Sequence, residues 1–520
     1  MVPNPLPDAA ATAKLVAAID IGSNSVRMVI AEVSAEGQIR MLERLQRAVR
    51  LGQDTFRRGR LGVQSMRAAT GVLRDYQQML RLYNVERIRA VATSAVREAT
   101  NADTFLDRIF MATELQVEVI DTSEESRLTV MAVHASLGGA LRARRDRTLV
   151  VDVGGGSTLL TVLENGEIIT AQSLRLGSIR LQEVLSTSQE TPQRSAEILR
   201  QQILKEVATM EAALPVEAVA TLIAVGGDAR FAARQIGQPT EADDLIAVRR
   251  SDLEKLVKHC KQFAPEELAK RHGLPFAEAE TITPALLVYQ TLLARTHARQ
   301  MLVSQVSMRD GLLLELARQV TGQRDDVLLE GTIHSAMAVA EKFHVDAKHA
   351  NSVAQLSIRL FDEMQAEHGL SGRYRLLLQV AGLLHEVGSV VSLRAHHKHS
   401  YYLIANSEIF GLTRQETTLV AHIARYHRRS VPKPSHLEYI ALPRELRVAV
   451  NKLAALLRVA DALSRGPLQE AGVLRLQRQG DELIIHVPGG SSLLLEQRAL
   501  AAKGDLFEDI YGMKVRLEQV

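Results

Sequence analysis

Two stretches decide how this chain folds: Ala18-Ile-Asp-Ile-Gly-Ser-Asn-Ser25 and Val150-Val-Asp-Val-Gly-Gly-Gly-Ser157. Each runs apolar, Asp, apolar, Gly, two small residues and Ser, ending one β-type run and opening the next. Around the first, residues 15–21 and 26–33 predict strands joined by the tight polar turn Gly22-Ser23-Asn24-Ser25. Helical periodicity follows over 61–83, and short β-type runs at 89–92 and 116–120 each lead into a helical stretch. Around the second, 148–153 and 159–163 predict strands, and the turn Asn165-Gly166 leads to a third. Such alternation predicts an α/β fold. The unit returns after about 130 residues with both its Asp and its Ser, which favours two similar lobes over two unrelated hairpins with glycine turns.

A chain of 520 residues is too long for one core. The reading divides it into α/β lobes at 14–138 and 139–325, a helical domain at 326–470 and a small α+β domain at 471–520. Eleven of the 16 histidines lie between His334 and His436, which sets the helical part off from the lobes. The last segment is marked by β-type runs at 473–476 and 483–487 around Pro488-Gly-Gly. Aromatics are only 4%, without Trp, so stacking platforms for single-stranded nucleic acid are scarce. A net charge of +3 gives no global case for DNA binding. Cys260 is the only cysteine, so neither a disulfide framework nor a cysteine zinc site can form. The first 13 residues lack the charged start and apolar core of a signal peptide, and no apolar run has membrane-spanning length. The expected setting is therefore cytoplasmic, with no membrane partner.

The repeated turns suit phosphate chemistry. Small residues after a strand let consecutive backbone N–H groups point at one anion, and Ser23, Asn24 and Ser157 add donors. An Asp just before each turn, Asp20 and Asp152, can hold hydrated Mg²⁺, with Mn²⁺ as the alternative. Ala92-Thr93-Ser94-Ala95-Val96-Arg97 ends a strand with hydroxyls and opens a helix with Arg97 in its first turn, an anion site or an ordinary cap with a solvated arginine. In Ile120-Asp-Thr-Ser-Glu-Glu-Ser-Arg127, Ser123 as cap explains one first-turn glutamate; the other of Glu124 and Glu125 could orient a water.

These stretches, with Ala224-Val-Gly-Gly and Val306-Ser-Met-Arg-Asp-Gly-Leu-Leu, resemble the exopolyphosphatase/guanosine pentaphosphate phosphatase family of the actin, sugar-kinase and heat-shock chaperone superfamily. The resemblance runs from about Ala17 to Glu315 and continues through the helical part. It implies two ribonuclease H-like, actin-type lobes and a homodimer. It makes Glu125 the catalytic carboxylate and Arg97 the phosphoryl-binding cation. Asp20 and Asp152 would support Mg²⁺. Gly22, Ser23, Asn24, Thr93, Ser94, Gly154, Gly155, Gly156, Ser157, Gly226 and Gly227 would bind substrate. The expected reaction removes terminal orthophosphate from inorganic polyphosphate, with guanosine pentaphosphate as the alternative substrate and a superfamily kinase or a non-enzymatic nucleotide switch as rivals of another class. The chain departs from the family pattern at Asp228, an acid facing a polyanion cleft, and at Asp121-Thr122, where Ser-Gly is common.

In the helical part, His349, His385-Glu386, His422, His427 and Asp461 are spaced like a His-Asp metal phosphohydrolase domain. Where that family has His-Asp this chain has His-Glu. The longer side chain would displace its oxygens from a metal, so a domain without a working metal site is expected. Arg394, His396, His397, Lys398, His399, Arg425, His427, Arg428 and Arg429 form either a basic track for a polyanion or solvated loops.

Overall fold

A computed structural model describes residues 13–143, 146–211, 214, 216–241, 244–322, 326–428, 430–464, 475–487 and 493–519. The N-terminal tail to residue 12, Arg429, the start of the run at 473–476 and the Pro488-Gly-Gly turn lie outside them. The chain forms two compact units, divided after Leu328.

The first unit holds two sheets. One is built from β1 (Lys14–Ile21), β2 (Ser25–Val33), β3 (Ile39–Ala48), β4 (Arg87–Ala92) and β5 (Val117–Val119), in the order β3-β2-β1-β4-β5. The other contains β6 (Arg147–Val153), β7 (Thr158–Glu164), β8 (Glu167–Leu174), β9 (Val219–Val225), β10 (Gln238–Pro239), β11 (Leu245–Arg249) and β12 (Gln300–Ser304), in the order β10-β11-β12-β9-β6-β7-β8. In each sheet an antiparallel meander of three strands is extended by a parallel strand beside the first. The register repeats as well. Asp20 pairs with Arg27, and Asp152 pairs with Leu159, so each Asp faces the residue seven positions on. Gly22 N donates to Ser25 O at 3.0 Å, and Gly154 N donates to Ser157 O at 2.9 Å. The chain therefore adopts the two-lobed actin-like α/β architecture.

Pleat alternation places the carboxylates. Ala17, Ile19 and Ile21 of β1 join a core with Leu73, Phe105 and Ile109, from the helices Val63–Leu82 and Ala102–Thr113. Val16 and Ala18 point the other way and pack with Leu128, Leu312 and Leu316. Asp20 shares that second face by parity, toward the helices Thr122–Ala143 and Met308–Thr321. Met308–Thr321 thus returns to the first lobe, although it belongs to the segment 139–325 read as the second. Strand β3, with charged residues along its exposed side, carries no apolar run and escaped the sequence reading.

The second unit is mainly helical, with a small sheet of β13 (Arg475–Gln479), β14 (Glu482–Val487) and β15 (Lys514–Gln519). Its parts share one core: Leu483, Ile485, Phe507 and Leu517 pack with Leu453, Leu456 and Leu457 of the helix Arg444–Leu463. Among the described residues no helix is long and apolar enough to cross a membrane.

Candidate active site

A cleft of about 560 Å³ opens in the first unit. Gly22, Ser23 and Asn24 of one loop and Gly154, Gly155, Gly156 and Ser157 of the other line it, with Asp20, Asp152, Thr93, Ser94, Glu125, Gly226 and Gly227. The loops face each other: a Cβ on Gly155 would lie 3.1 Å from Ser23 Cβ, and Ser94 Oγ lies 3.4 Å from Ser157 Oγ. Gly226 sits at φ +118°, which an L side chain rarely adopts, beside the Asp152 carboxylate. Arg180 holds the second loop by donating from Nε to Gly156 O, and its Nη1 reaches Glu98 at 2.9 Å.

Arg97 does not line the cleft with the rest. Its Nη1 donates to Glu125 Oε1 at 2.5 Å and to Ile120 O at 2.6 Å. The guanidinium assigned to the phosphoryl group by resemblance here engages the carboxylate. Glu125 sits in the first turn of Thr122–Ala143, one turn before Thr129, whose Oγ1 donates to Asp152 Oδ2 at 3.3 Å. One helix face thus meets both lobes. Burial pushes the Glu125 carboxyl up to about 7; Arg97 opposes the rise, and the charges of Asp20 and Asp152 add to it. Burial raises Asp152 in the same way.

The cap of this helix differs from the expectation. Asp121, not Ser123, receives the first-turn bonds: Glu124 N donates to Asp121 Oδ1 at 2.9 Å, and Glu125 N to Asp121 O at 3.0 Å. The helix therefore begins at Thr122, two residues before a Ser123 cap would start it. Glu124 turns away from the cleft into a buried network. Its carboxylate accepts from Arg127 Nε at 2.5 Å and from Arg89 Nη2 at 3.0 Å, while both arginines also pair with Glu315.

Among the described residues five arginines line the cleft, Arg27, Arg47, Arg230, Arg234 and Arg309, and none was legible there from its own stretch of sequence. Arg27 and Arg309 approach Asp20 Oδ2 at 3.8 and 3.6 Å, and Arg230 Nη1 donates to Val306 O at 3.1 Å. Their crowding shows electrostatically: burial and the charge of Arg27 bring Arg309 down to about 10, and the same causes lower Arg230. The Asp20–Arg27 pairing was available from the hairpin register. The arrival of Arg309 depends on the returning helix.

In the second unit, His349, His385 and Glu386 place ligand-type atoms within 4.8 Å of one another. His349 Nε2 lies 3.8 Å from Asp461 Oδ1, and the rings of His385 and His427 are 5.0 Å apart. His422 stands elsewhere, packed against Tyr401, Tyr426 and Tyr439. The Lys503 ammonium pairs with the buried Asp461 carboxylate, so a cation from the chain itself already meets that acid. Burial acts to raise Asp461, but His385 and Lys503 hold it well below the usual carboxylate range. The supposed basic track loses His396 and His427, which are buried and stacked on each other at 5.1 Å.

Residues 29–320 match the Ppx/GppA phosphatase family, and residues 333–503 match its domain III. A guanosine-5′-triphosphate,3′-diphosphate pyrophosphatase of Photobacterium profundum is 26% identical over 86% of this chain and 85% of its own length. One of the same name from Vibrio parahaemolyticus is 26% identical over 92% and 93%. The crystal structure of an exopolyphosphatase from Cytophaga hutchinsonii is similar in fold, with a TM-score of 0.53 and 21% identity over 59% of this chain and 98% of that one. With facing glycine loops, a buried carboxylate between them and a family match spanning both lobes, the chain belongs to the Ppx/GppA phosphatase family and is a phosphatase.

Proposed function

We propose that this cleft hydrolyses the terminal phosphoanhydride bond of a polyphosphorylated anion, guanosine 5′-triphosphate 3′-diphosphate ahead of linear polyphosphate. One observation carries the reading: Glu125 lies buried in a cleft lined by two glycine loops, with its carboxyl raised to about 7. A base so placed can take a proton from water near neutral pH. The loop N–H groups and Arg27, Arg230 and Arg309 offset charge on the phosphate oxygens, which phosphoryl transfer needs more than covalent help. Arg97 is a positioning residue that fixes one oxygen of Glu125. The guanosine preference rests on the two curated relatives, which both carry that name. Phosphate release from guanosine pentaphosphate, long polyphosphate and ATP, measured side by side, tests it. A higher kcat/KM on the polymer would reverse the order, and release from none would remove the reading.

Asp20 and Asp152 fit a hard divalent cation. Arg27 and Arg309 stand too far from Asp20 to hydrogen-bond, and the one bond Asp152 accepts from a side chain among the described residues, Thr129's, is long. Mg²⁺ or Mn²⁺ held there would supply charge neutralisation at the transferring oxygens. Asp152→Asn is expected to lower kcat on the order of a hundredfold or more, and excess chelator should abolish turnover of the wild type. Full activity in chelator would remove the metal.

Arg97 gives a prediction with its own readout. Activity should rise with pH as Glu125 ionises, on a limb at or below about 7, since a bound cation pulls it down. Arg97→Ala removes a charge that favours the carboxylate, so this limb should move to higher pH. Arg97→Lys should shift it less, because an ammonium keeps the charge but loses the fork. An unmoved limb in both variants would detach Arg97 from Glu125.

A further inference from the structure

Most of the cleft is built for anions, yet one part of its wall is not. Asp228, in the first turn of the helix Gly227–Ile236, presents a carboxyl group to the cleft, and the one hydrogen bond it accepts among the described residues is from Thr281 Oγ1, at 2.8 Å. Phe231 follows one helical turn later, and Leu274, Pro275 and Ile282 line the cleft as well, with Arg230, Arg234 and Glu278 as the charged residues of the same segments. A chain of phosphates carries only acceptor oxygens, so it would meet Asp228 with repulsion and gain nothing from the apolar wall. Burial pushes the Asp228 carboxyl up to about 6; the bond from Thr281 and the charges of Arg27 and Arg230 oppose the rise, and Glu278 adds to it.

We infer that Asp228, Thr281 and the apolar wall of Phe231, Leu274, Pro275 and Ile282 form a nucleoside subsite in which the Asp228 carboxylate accepts the N–H donors of a guanine edge. Guanine offers two adjacent donors, N1–H and the 2-amino group, to the two oxygens of a carboxylate. Its flat ring suits a wall of apolar side chains beside a few convergent polar groups. The subsite deepens the substrate reading given above and rests on it. It predicts that the nucleoside is recognised by its base, with the glycine loops left to the phosphates.

Calorimetry on the full-length wild type with guanosine 5′-diphosphate and inosine 5′-diphosphate tests this without any hydrolysis. Inosine lacks the 2-amino donor and should bind roughly tenfold more weakly, the worth of one hydrogen bond to a charged acceptor. Equal affinity would overturn the subsite. In steady-state assays, Asp228→Asn and Asp228→Ser should lower the ratio of kcat/KM on guanosine pentaphosphate to that on tripolyphosphate by about 10- to 100-fold, mainly through KM. An equal loss on both substrates would show a structural role instead and also overturn the subsite. Failure of the wild type to hydrolyse guanosine pentaphosphate would remove the proposed function, while the diphosphate comparison would still decide the subsite.

Discussion

Glu125→Gln is expected to lower kcat by about 10²–10⁴-fold, the usual contribution of a general base. The amide keeps the shape of the carboxylate and its acceptor oxygen toward Arg97, so apparent substrate affinity should change little. It cannot take a proton from water, and its pH profile should lack the limb assigned to this group. The effect is large because Glu125 is the only glutamate of the helix's first turn that lines the cleft. Its neighbour points about 100° away around the helix. Steady-state kinetics with either substrate checks this; a variant that keeps wild-type kcat would move the water-activating role elsewhere.

Glu124→Gln should leave the chemistry largely in place and cost stability. A first-turn glutamate ordinarily contributes about 0.3–1 kcal/mol through the helix dipole. The structure gives it a heavier task, because its carboxylate is shared by Arg127 and Arg89 in a buried network that also ties in Glu315 from the returning helix. Breaking a buried pair leaves an uncompensated charge and typically costs about 3–5 kcal/mol. Burial acts to raise Glu124, but Arg127 and Arg89 overcome it and hold the carboxyl below its ordinary value of 4.5. A depressed carboxylate stabilises the fold above its unfolded pKa and loses that contribution as pH falls through the folded one. The stability gap between wild type and Glu124→Gln should therefore be full at neutral pH and narrow below about pH 4.5. Denaturant melts at pH 7 and pH 4 measure it; a gap under 1 kcal/mol at both would mean that Arg127 finds a sufficient partner in Glu315.

The contrast between these two residues shows what the sequence could carry. The strand–turn–strand repeat was legible because its register follows from short glycine turns, and that register fixes which way Asp20 and Asp152 point. The loop residues and the two aspartates come together in one cleft because they stand at or next to strand ends of two similar sheets, and Glu125 joins them from the first turn of the helix that follows β5. Arg309 was not legible as a cleft residue, since its position depends on a helix that crosses back to the first lobe some 290 residues after β1 begins. The same long separation hid the partner of Arg127. In the second unit, His349, His385 and Asp461 were found by spacing, but Lys503, which pairs with Asp461, lies beyond a helix end and a change of secondary structure. His422 kept the right sequence interval and missed the cluster, because it stands on the helix Arg414–Arg425 among Tyr401, Tyr426 and Tyr439, whereas His427 lies past that helix's C-terminus, where the chain has turned toward His385.

The central claim is that water, activated by Glu125, attacks the terminal phosphorus of the substrate in this cleft. A single turnover of guanosine pentaphosphate in ¹⁸O-labelled water reads that step directly. The account predicts one ¹⁸O atom in the released orthophosphate, none in the remaining nucleotide, and at least a hundredfold slower incorporation in Glu125→Gln. Label in the nucleotide product, or equal rates in wild type and variant, would contradict it.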